Sequence, residues 1–302
     1  GGAGLPRQLE LNEWGLTLEQ EAECLHEFKE GLRAAGARYD PELHTDWTLL
    51  RFLRARDHNV PKATGMFLNH LKWREDYGVD YILEKKFPER EGVLRVFPQG
   101  YHMVDKEGRP VYIQRLGGVD YDALLRVTSE ERVVQLFIQE YERFIREKLP
   151  ACTRAAGRFI GKSFTILDLH GVGLGAIRGH NGRITKKILQ IAQDNYPEVM
   201  GRTFIINAPG IMKMLFAAVK PLLSPRTVAK IEMHGHRYLP RLLNYVDAQC
   251  LPRDLGGLSE FSLLDDVGPW SQAFPANEDL EAMPTMRGHE AASLVHPLLP
   301  RA

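Results

Sequence analysis

Three sets of residues have types and spacing that could do chemistry. Ser163, Asp168 and His170 fall on or just past one predicted strand, and they are the types a nucleophile, an acid and a base would require. Alternate residues of a strand share a face, but these three are spread along it. No G-x-S-x-G elbow presents the serine, so a structural role is the better reading. His234-Gly235-His236 could offer two imidazoles to a metal. No Cys, Asp or third His follows at ligand spacing, so no metal is expected. Gly171-Val172-Gly173-Leu174-Gly175-Ala176 follows a strand and precedes a helix, as a pyrophosphate-binding glycine fingerprint does. It sits mid-chain, however, and Arg178–Gly182 separates it from the helix. The next strand ends in Asn207 where a ribose-binding acid would stand. A plain strand-to-helix loop is preferred, a nucleotide-dependent oxidoreductase stays as a rival, and no catalytic residue is assigned.

Other residues suit binding. Tyr101 and Tyr112 lie in the two arms of a predicted hairpin, and Tyr141 lies on a predicted helix. Ser163 and Thr165 alternate on one strand face. Together they could form a polar spot in an apolar cavity, as hydroxyls do where they orient a headgroup. Arg51, Arg54 and Arg56 read, taken alone, as a solvated helix face, and Glu198 and Lys230 are equally ambiguous singly. The run from Ile211 to Leu223 is apolar almost all round: Ile211, Leu215 and Ala218 on one side, Met212, Phe216 and Val219 on another, with only Lys213 and Lys220 interrupting. A surface helix has one apolar stripe. This one needs a core and a second apolar neighbour, and it is too short to span a bilayer.

The elements that must hold these residues divide the chain. Thr17-Leu18-Glu19-Gln20 is a capping box opening a helix to about Ala35. Helices are predicted over 46–56, 61–77 and 80–86, so residues 1–92 form an all-helical lobe. A hairpin turns at Asp105-Lys106-Glu107-Gly108, a capped helix runs from Thr128 to about Lys148, and strands at 163–169, 203–207 and 229–233 alternate with helices at 181–195, 210–223 and 238–246. That alternation predicts an α/β lobe over 93–277 on a mainly parallel sheet. Residues 278–302 lack periodicity and are expected to be a loose tail.

Composition narrows the function. The chain has 302 residues, 44% hydrophobic and 26% charged, as a soluble globular protein does. With 39 basic and 39 acidic residues, bulk charge does not point to nucleic acid. Cys24, Cys152 and Cys250 are far apart and read as reduced thiols of a cytosolic protein. No stretch has the length and flanks of a signal peptide or a membrane span.

Several runs together resemble the CRAL-TRIO lipid-binding superfamily, closest to its yeast-type phosphatidylinositol/phosphatidylcholine transfer proteins. They are Leu49-Leu50-Arg51-Phe52-Leu53-Arg54-Ala55-Arg56, Asp105 through Tyr112, Val127 through Arg132, Leu149 through Gly157, Asn195-Tyr196-Pro197-Glu198, Ile205 through Pro209, and Leu255-Gly256-Gly257. The resemblance covers roughly residues 45–260, in family order. It implies a helical N-terminal lobe and a lipid cavity under a lid helix, with Ile211, Met212, Met214, Leu215, Phe216, Val219, Leu222 and Leu223 as lid residues. It assigns Arg56, Glu198, Thr227 and Lys230 to a phosphatidylinositol headgroup, the two cations neutralising phosphate. It assigns Tyr101, Tyr112, Tyr141, Ser163, Thr165 and Tyr196 to a second headgroup. The family has a serine where this chain has Ala192 and an arginine where it has Val199, which leaves that second lipid open: phosphatidylcholine or another apolar lipid. Gly256 and Gly257 are hinge candidates through their backbone freedom.

The function so implied is lipid extraction and exchange without covalent chemistry and without a cofactor, the ligand being a bound phospholipid. The expected partners are phosphatidylinositol, a second lipid, a transiently docked membrane surface and lipid kinases. The chain is expected to be a monomer in the cytoplasm, peripheral on Golgi or endosomal membranes. A carrier of sterol or another hydrophobic ligand is the alternative.

Overall fold

A computed structural model describes residues 11–172, 180–219 and 225–271. The chain divides into two compact units between Tyr77 and Gly78, earlier than the break expected at residue 92. Gly78 explains the place: its φ of +62° ends the preceding helix in the left-handed conformation that glycine adopts without a Cβ clash.

The N-terminal unit is helical, with α1 Leu18–Ala34, α2 Asp46–Arg54 and α3 Val60–Tyr77. The Thr17 hydroxyl accepts the Gln20 N–H at 3.2 Å and the Gln20 side chain accepts the Thr17 N–H at 2.9 Å, so the predicted capping box is formed. Leu25, Phe28, Leu32, Leu50, Leu53 and Phe67 form its buried core. The solvated arginine face expected on α2 is not there. Arg54 donates two hydrogen bonds to the buried Glu21, at 2.8 and 2.7 Å, and lies against the rings of Trp14 and Trp47. Arg51 is buried as well. The apolar stripe of so short a helix leaves little room for a separate polar face, so the arginines are drawn in and matched by a carboxylate and aromatic rings.

The second unit opens with a 3₁₀ turn, Val79–Tyr81, and α4, Arg90–Val96. The helix expected over 80–86 is displaced towards the C-terminus because Pro88 disfavours helical backbone at Phe87. A five-stranded sheet follows in the order β1 Gln99–Val104, β2 Pro110–Arg115, β3 Ser163–Asp168, β4 Met200–Ile206, β5 Ile231–Met233. The first pair is the predicted hairpin, antiparallel, and the others are parallel. The connections carry α5 Tyr121–Val127, α6 Glu130–Arg143, α7 Leu149–Ala156, α8 His180–Asn195, α9 Gly210–Val219 and α10 Pro225–Ala229, and α11, Leu239–Leu242, follows β5. A five-residue π-turn, Phe144–Lys148, joins α6 to α7 just before Pro150. Proline cannot donate to the preceding turn and crowds its carbonyl, and one turn of wider helix relieves both.

Successive parallel strands add in one direction, and right-handed crossovers then place the connecting helices on one face of the sheet. Among the described residues the order never reverses, and the sheet shows no switch-point crevice of the kind on which dinucleotide folds rely. Period two sorts the side chains: Val111, Ile113, Phe164 and Ile166 point into a core closed by Leu242, Val246, Leu251, Leu255 and Val267 of the C-terminal segment. The alternate residues face the helices.

His102, fully buried in β1, ties this segment down through Nε2 and the Ser259 hydroxyl at 3.1 Å. Burial brings its pKa down to about 4, against opposing pulls from Asp254 and Asp265. The fold therefore holds a neutral imidazole. Its stability contribution is complete above pH 6.5 and falls as pH drops towards 4, by about 2 kcal/mol at pH 5. Thermal unfolding followed from pH 7 to 5 should show that loss, and His102→Gln should flatten it.

The remaining chemical candidates are structural. Asp168 accepts the His170 N–H at 2.9 Å and the Asn207 side-chain amide at 2.8 Å. His234 stacks on Phe204 and reaches Glu232. His236 contacts the Asn207 side chain at 3.1 Å. Among the described residues no group of three His, Cys, Asp or Glu could hold a metal, and no helix is long and apolar enough to cross a membrane. Gly173, Leu174, Gly175 and Ala176, like the tail 278–302, lie outside the described residues.

Candidate functional site

The helix-facing side of the sheet floors a cavity of about 320 Å³ in the second unit. Register builds the floor. Tyr101 pairs with Tyr112, Tyr112 with Thr165, and Thr165 with Thr203, so four hydroxyl side chains lie in one row across four strands. Ser163, two residues before Thr165, shares its face and lies 3.4 Å from it, oxygen to oxygen. The walls come from Phe137, Glu140 and Tyr141 of α6, Phe144 of the π-turn, and Thr185, Ile188 and Leu189 of α8. Val199 and Met200 complete the lining. Leu189 and Met200 line the cavity yet are 55% and 53% exposed, which marks its mouth.

Tyr101, Tyr112, Tyr141, Ser163 and Thr165 all line this space. Burial raises the pKa of the Tyr101 and Tyr112 hydroxyls well above the usual value and pushes Tyr141 up to about 12, so all three stay protonated. Tyr112 donates to Gln99 at 2.5 Å. Tyr196 stands apart from the lining. It stacks on Tyr141 at 4.5 Å with planes 8° apart and donates to the buried Glu142 at 2.8 Å. Its part is to brace the wall and the loop that follows it.

That loop carries Glu198, whose φ of +54° is the left-handed conformation a non-glycine residue seldom adopts. The strained backbone presents its carboxylate to Lys230, Nζ to Oε2 3.3 Å. The Lys230 carbonyl accepts the Thr203 N–H at 2.7 Å, which pins that residue to β4. Both side chains are about three-quarters covered. Thr227 lies on α10, three residues before Lys230. Arg56 belongs to the N-terminal unit, in the turn after α2, with Nη1 donating to the Ala55 carbonyl at 3.0 Å. The helix expected to reach residue 56 stops at Arg54 because Asp57 and His58 take positive φ.

On α9, Ile211 and Met214 are 47% and 67% exposed, and Met212 and Phe216 are half-buried. Leu215 and Val219 belong to the same helix, while Leu222 and Leu223 lie outside the described residues. Gly256 and Gly257 close a tight turn: their N–H groups donate to Arg253 and Pro252 at 2.9 and 3.0 Å. A Cβ on Gly257 would stand 1.9 Å from the Leu251 carbonyl oxygen. A hinge here would have to break both hydrogen bonds.

Sequence reasoning missed Glu140, the charged residue of the cavity wall, and Lys148 beneath Tyr101. Glu140 takes Arg90 and Arg143 at 2.9 and 3.2 Å. Lys148 has no exposed surface, pairs with Asp266 at 2.5 Å, and lies 5.1 Å from the Tyr101 ring centre. Neither residue carries a local sequence signal for its place.

The CRAL/TRIO domain matches residues 94–257 and the CRAL/TRIO N-terminal domain residues 11–69. The chain belongs to the CRAL/TRIO family. Within that family it is 41% identical over 279 residues, 90% of the chain, to the phosphatidylinositol/phosphatidylcholine transfer protein SFH4 of Arabidopsis thaliana, of which it spans 46%. It is similarly 43% identical to the Arabidopsis protein SFH7, of which it spans 44%, so the chain covers about half the length of these relatives. A SEC14 cytosolic factor of Kluyveromyces lactis is 40% identical, over 85% of the chain and 86% of that protein. The crystal structure of Sfh5 has a similar fold, with a TM-score of 0.60 at 15% identity, covering 87% of this chain and 95% of that one.

Proposed function

We propose that this chain binds phosphatidylinositol and a second lipid, extracts them from a bilayer and exchanges them between membranes without covalent chemistry. The observation that carries the reading is the pairing of Glu198 with Lys230, next in sequence to Val199 of an apolar cavity floored by hydroxyls. The names of the transfer proteins to which it is similar support the same reading.

Exposing a diacyl lipid to water costs about 0.8 kcal/mol per methylene, on the order of 20 kcal/mol for thirty of them. A cavity that receives the chains as they leave the bilayer removes most of that cost. Lys230 supplies the phosphate counter-charge, and Glu198 holds the ammonium or accepts inositol hydroxyls. Thr227, three residues before Lys230 on α10, belongs to the same headgroup set. The exposed Ile211 and Met214 of α9 favour an open lid at the membrane, a population shift driven by differential contact with lipid. The Gly256–Gly257 turn is its hinge. The protein works as a monomer in the cytoplasm, peripheral on Golgi or endosomal membranes, and presents its lipid to kinases.

Transfer of labelled phosphatidylinositol between vesicles tests this. A lost hydrogen bond to a charged group is worth about 1.5–3 kcal/mol, so Lys230→Ala should lower phosphatidylinositol affinity about tenfold to a hundredfold and spare lipids without the inositol phosphate. An equal loss for every lipid would remove Lys230 from the headgroup site.

A further inference from the structure

We propose that the cavity over the sheet takes an uncharged lipid with a hydroxyl or ester head in place of a phosphodiester, and that Val199 sets this preference. The inference rests on the lipid-binding reading above and names the class of its second ligand.

The charges around the cavity carry the argument. Among the described residues its lining holds one charged side chain, and that is an acid, Glu140. Burial works against its ionisation, but Arg90, Arg143 and Lys148 outweigh burial and hold the carboxyl below its usual range. Those cations are already engaged. Arg90 pairs with Glu140, Arg143 with Glu140 and Asp266, and Lys148 with Asp266 behind the Tyr101 ring. A phosphodiester in the cavity would lose its water and meet a carboxylate with no cation of its own. The effective penalty for burying such an ion is several kcal/mol.

The other polar groups of the lining are neutral. Ser163 and Thr165 lie on the floor, Tyr101 and Tyr141 stay protonated, and Tyr112, having donated to Gln99, is left with its oxygen to accept. Neutral donors and acceptors in an apolar space match a hydroxyl or an ester carbonyl, whose desolvation costs far less than that of an ion. The three tyrosine rings could tolerate a quaternary ammonium, but the phosphate beside it would still lack a partner.

Val199 puts an uncharged side chain into the lining next to Ser163. Its carbonyl accepts the Ser163 N–H at 2.9 Å and lies 3.5 Å from the Ser163 hydroxyl, and its side chain lines the cavity. A methyl-bearing wall at that point gives an anion nothing to bind.

Two probes with the same acyl chains isolate the headgroup: dioleoylglycerol and dioleoylphosphatidylcholine. The purified full chain is incubated with vesicles containing both, cholesterol as a second uncharged probe, and phosphatidylinositol. Bound lipid is then extracted and quantified by mass spectrometry. The expected result is about tenfold more of one uncharged probe than of phosphatidylcholine. Val199→Arg should reverse the ratio, since a guanidinium beside Ser163 offers phosphate a bidentate partner. Lys230→Ala should leave the ratio unchanged while reducing phosphatidylinositol. Wild-type protein that takes phosphatidylcholine as readily as both uncharged probes overturns the inference, and this comparison does not depend on the variant's folding. So does a folded Val199→Arg protein with an unchanged ratio. Phosphatidylinositol bound alongside phosphatidylcholine alone would overturn this inference and leave the proposed function standing. An uncharged lipid bound with no phosphatidylinositol would do the reverse.

Discussion

Replacing Lys148 with alanine should destabilise the protein by about 3 kcal/mol, near the lower end of what breaking a buried ion pair costs. Lys148 has no exposed surface. Its ammonium meets Asp266 at 2.5 Å and lies between the rings of Tyr101, at 5.1 Å, and Trp270, at 4.6 Å. Burial pulls its pKa down while Asp266 and Glu140 push it back. Alanine removes the cation, two ring contacts and a packed aliphatic stem, and leaves Asp266 with Arg143, at 3.1 Å, and the Trp270 indole N–H. Those remaining partners keep the cost towards the low end. Lys148→Met combined with Asp266→Asn removes both charges and keeps the volume, so it should recover to within about 1.5 kcal/mol of wild type. Urea unfolding of wild type, Lys148→Met, Asp266→Asn and the double variant measures the coupling. Equal loss in the alanine variant and the double variant would mean that the ion pair itself, and not packing, holds the C-terminal segment. Since Tyr101 rests on Lys148, the alanine variant should also bind lipid less tightly.

That pair shows why parts of the site were hidden from the sequence. Lys148 and Asp266 are 118 residues apart, and no local pattern links them. Ser163 and Thr165 were legible because strand alternation alone puts them on one face. Tyr101 and Tyr112 were legible because the turn at Gly108 dictates the hairpin and the hairpin sets them opposite each other. Glu140 was not, because a charge on a helix usually faces water. It faces the cavity only because Arg90 and Arg143 neutralise it there. The arginines of α2 misled for the same reason: Glu21, on another helix, turns an expected solvated face into a buried cluster. Local signals thus settle elements and faces. Long-range charge pairing settles which polar residues go inside.

The Glu21 cluster should cost about as much to break as the Lys148 pair, and its loss should depend on acid. Glu21 is 1% exposed and accepts Arg54 twice and His58 once, at 2.8, 2.7 and 2.9 Å. Burial alone would raise its pKa. The hydrogen bonds from Arg54 and His58 overcome that and bring it to about 2. A carboxylate depressed on folding contributes stability that is complete above its ordinary pKa near 4.5 and is lost as pH falls towards 2. The size of that shift corresponds to about 3 kcal/mol. Glu21→Ala should therefore lower stability by about 3 kcal/mol at pH 7, with Arg54 left between two indoles and without its carboxylate. Trp14, Trp47 and Trp73 all lie in the N-terminal unit, so tryptophan fluorescence reports this loss directly. Glu21→Gln should make the acid slope between pH 4.5 and 2 shallower, the rest of it belonging to Glu89 and Glu232, which are also held down to about 2, and leave untouched the higher window, between 6.5 and 4, that belongs to His102. A Glu21→Ala protein as stable as wild type at pH 7 would mean that Arg54 and His58 find water when the carboxylate is removed, and that the cluster holds the helices by packing alone.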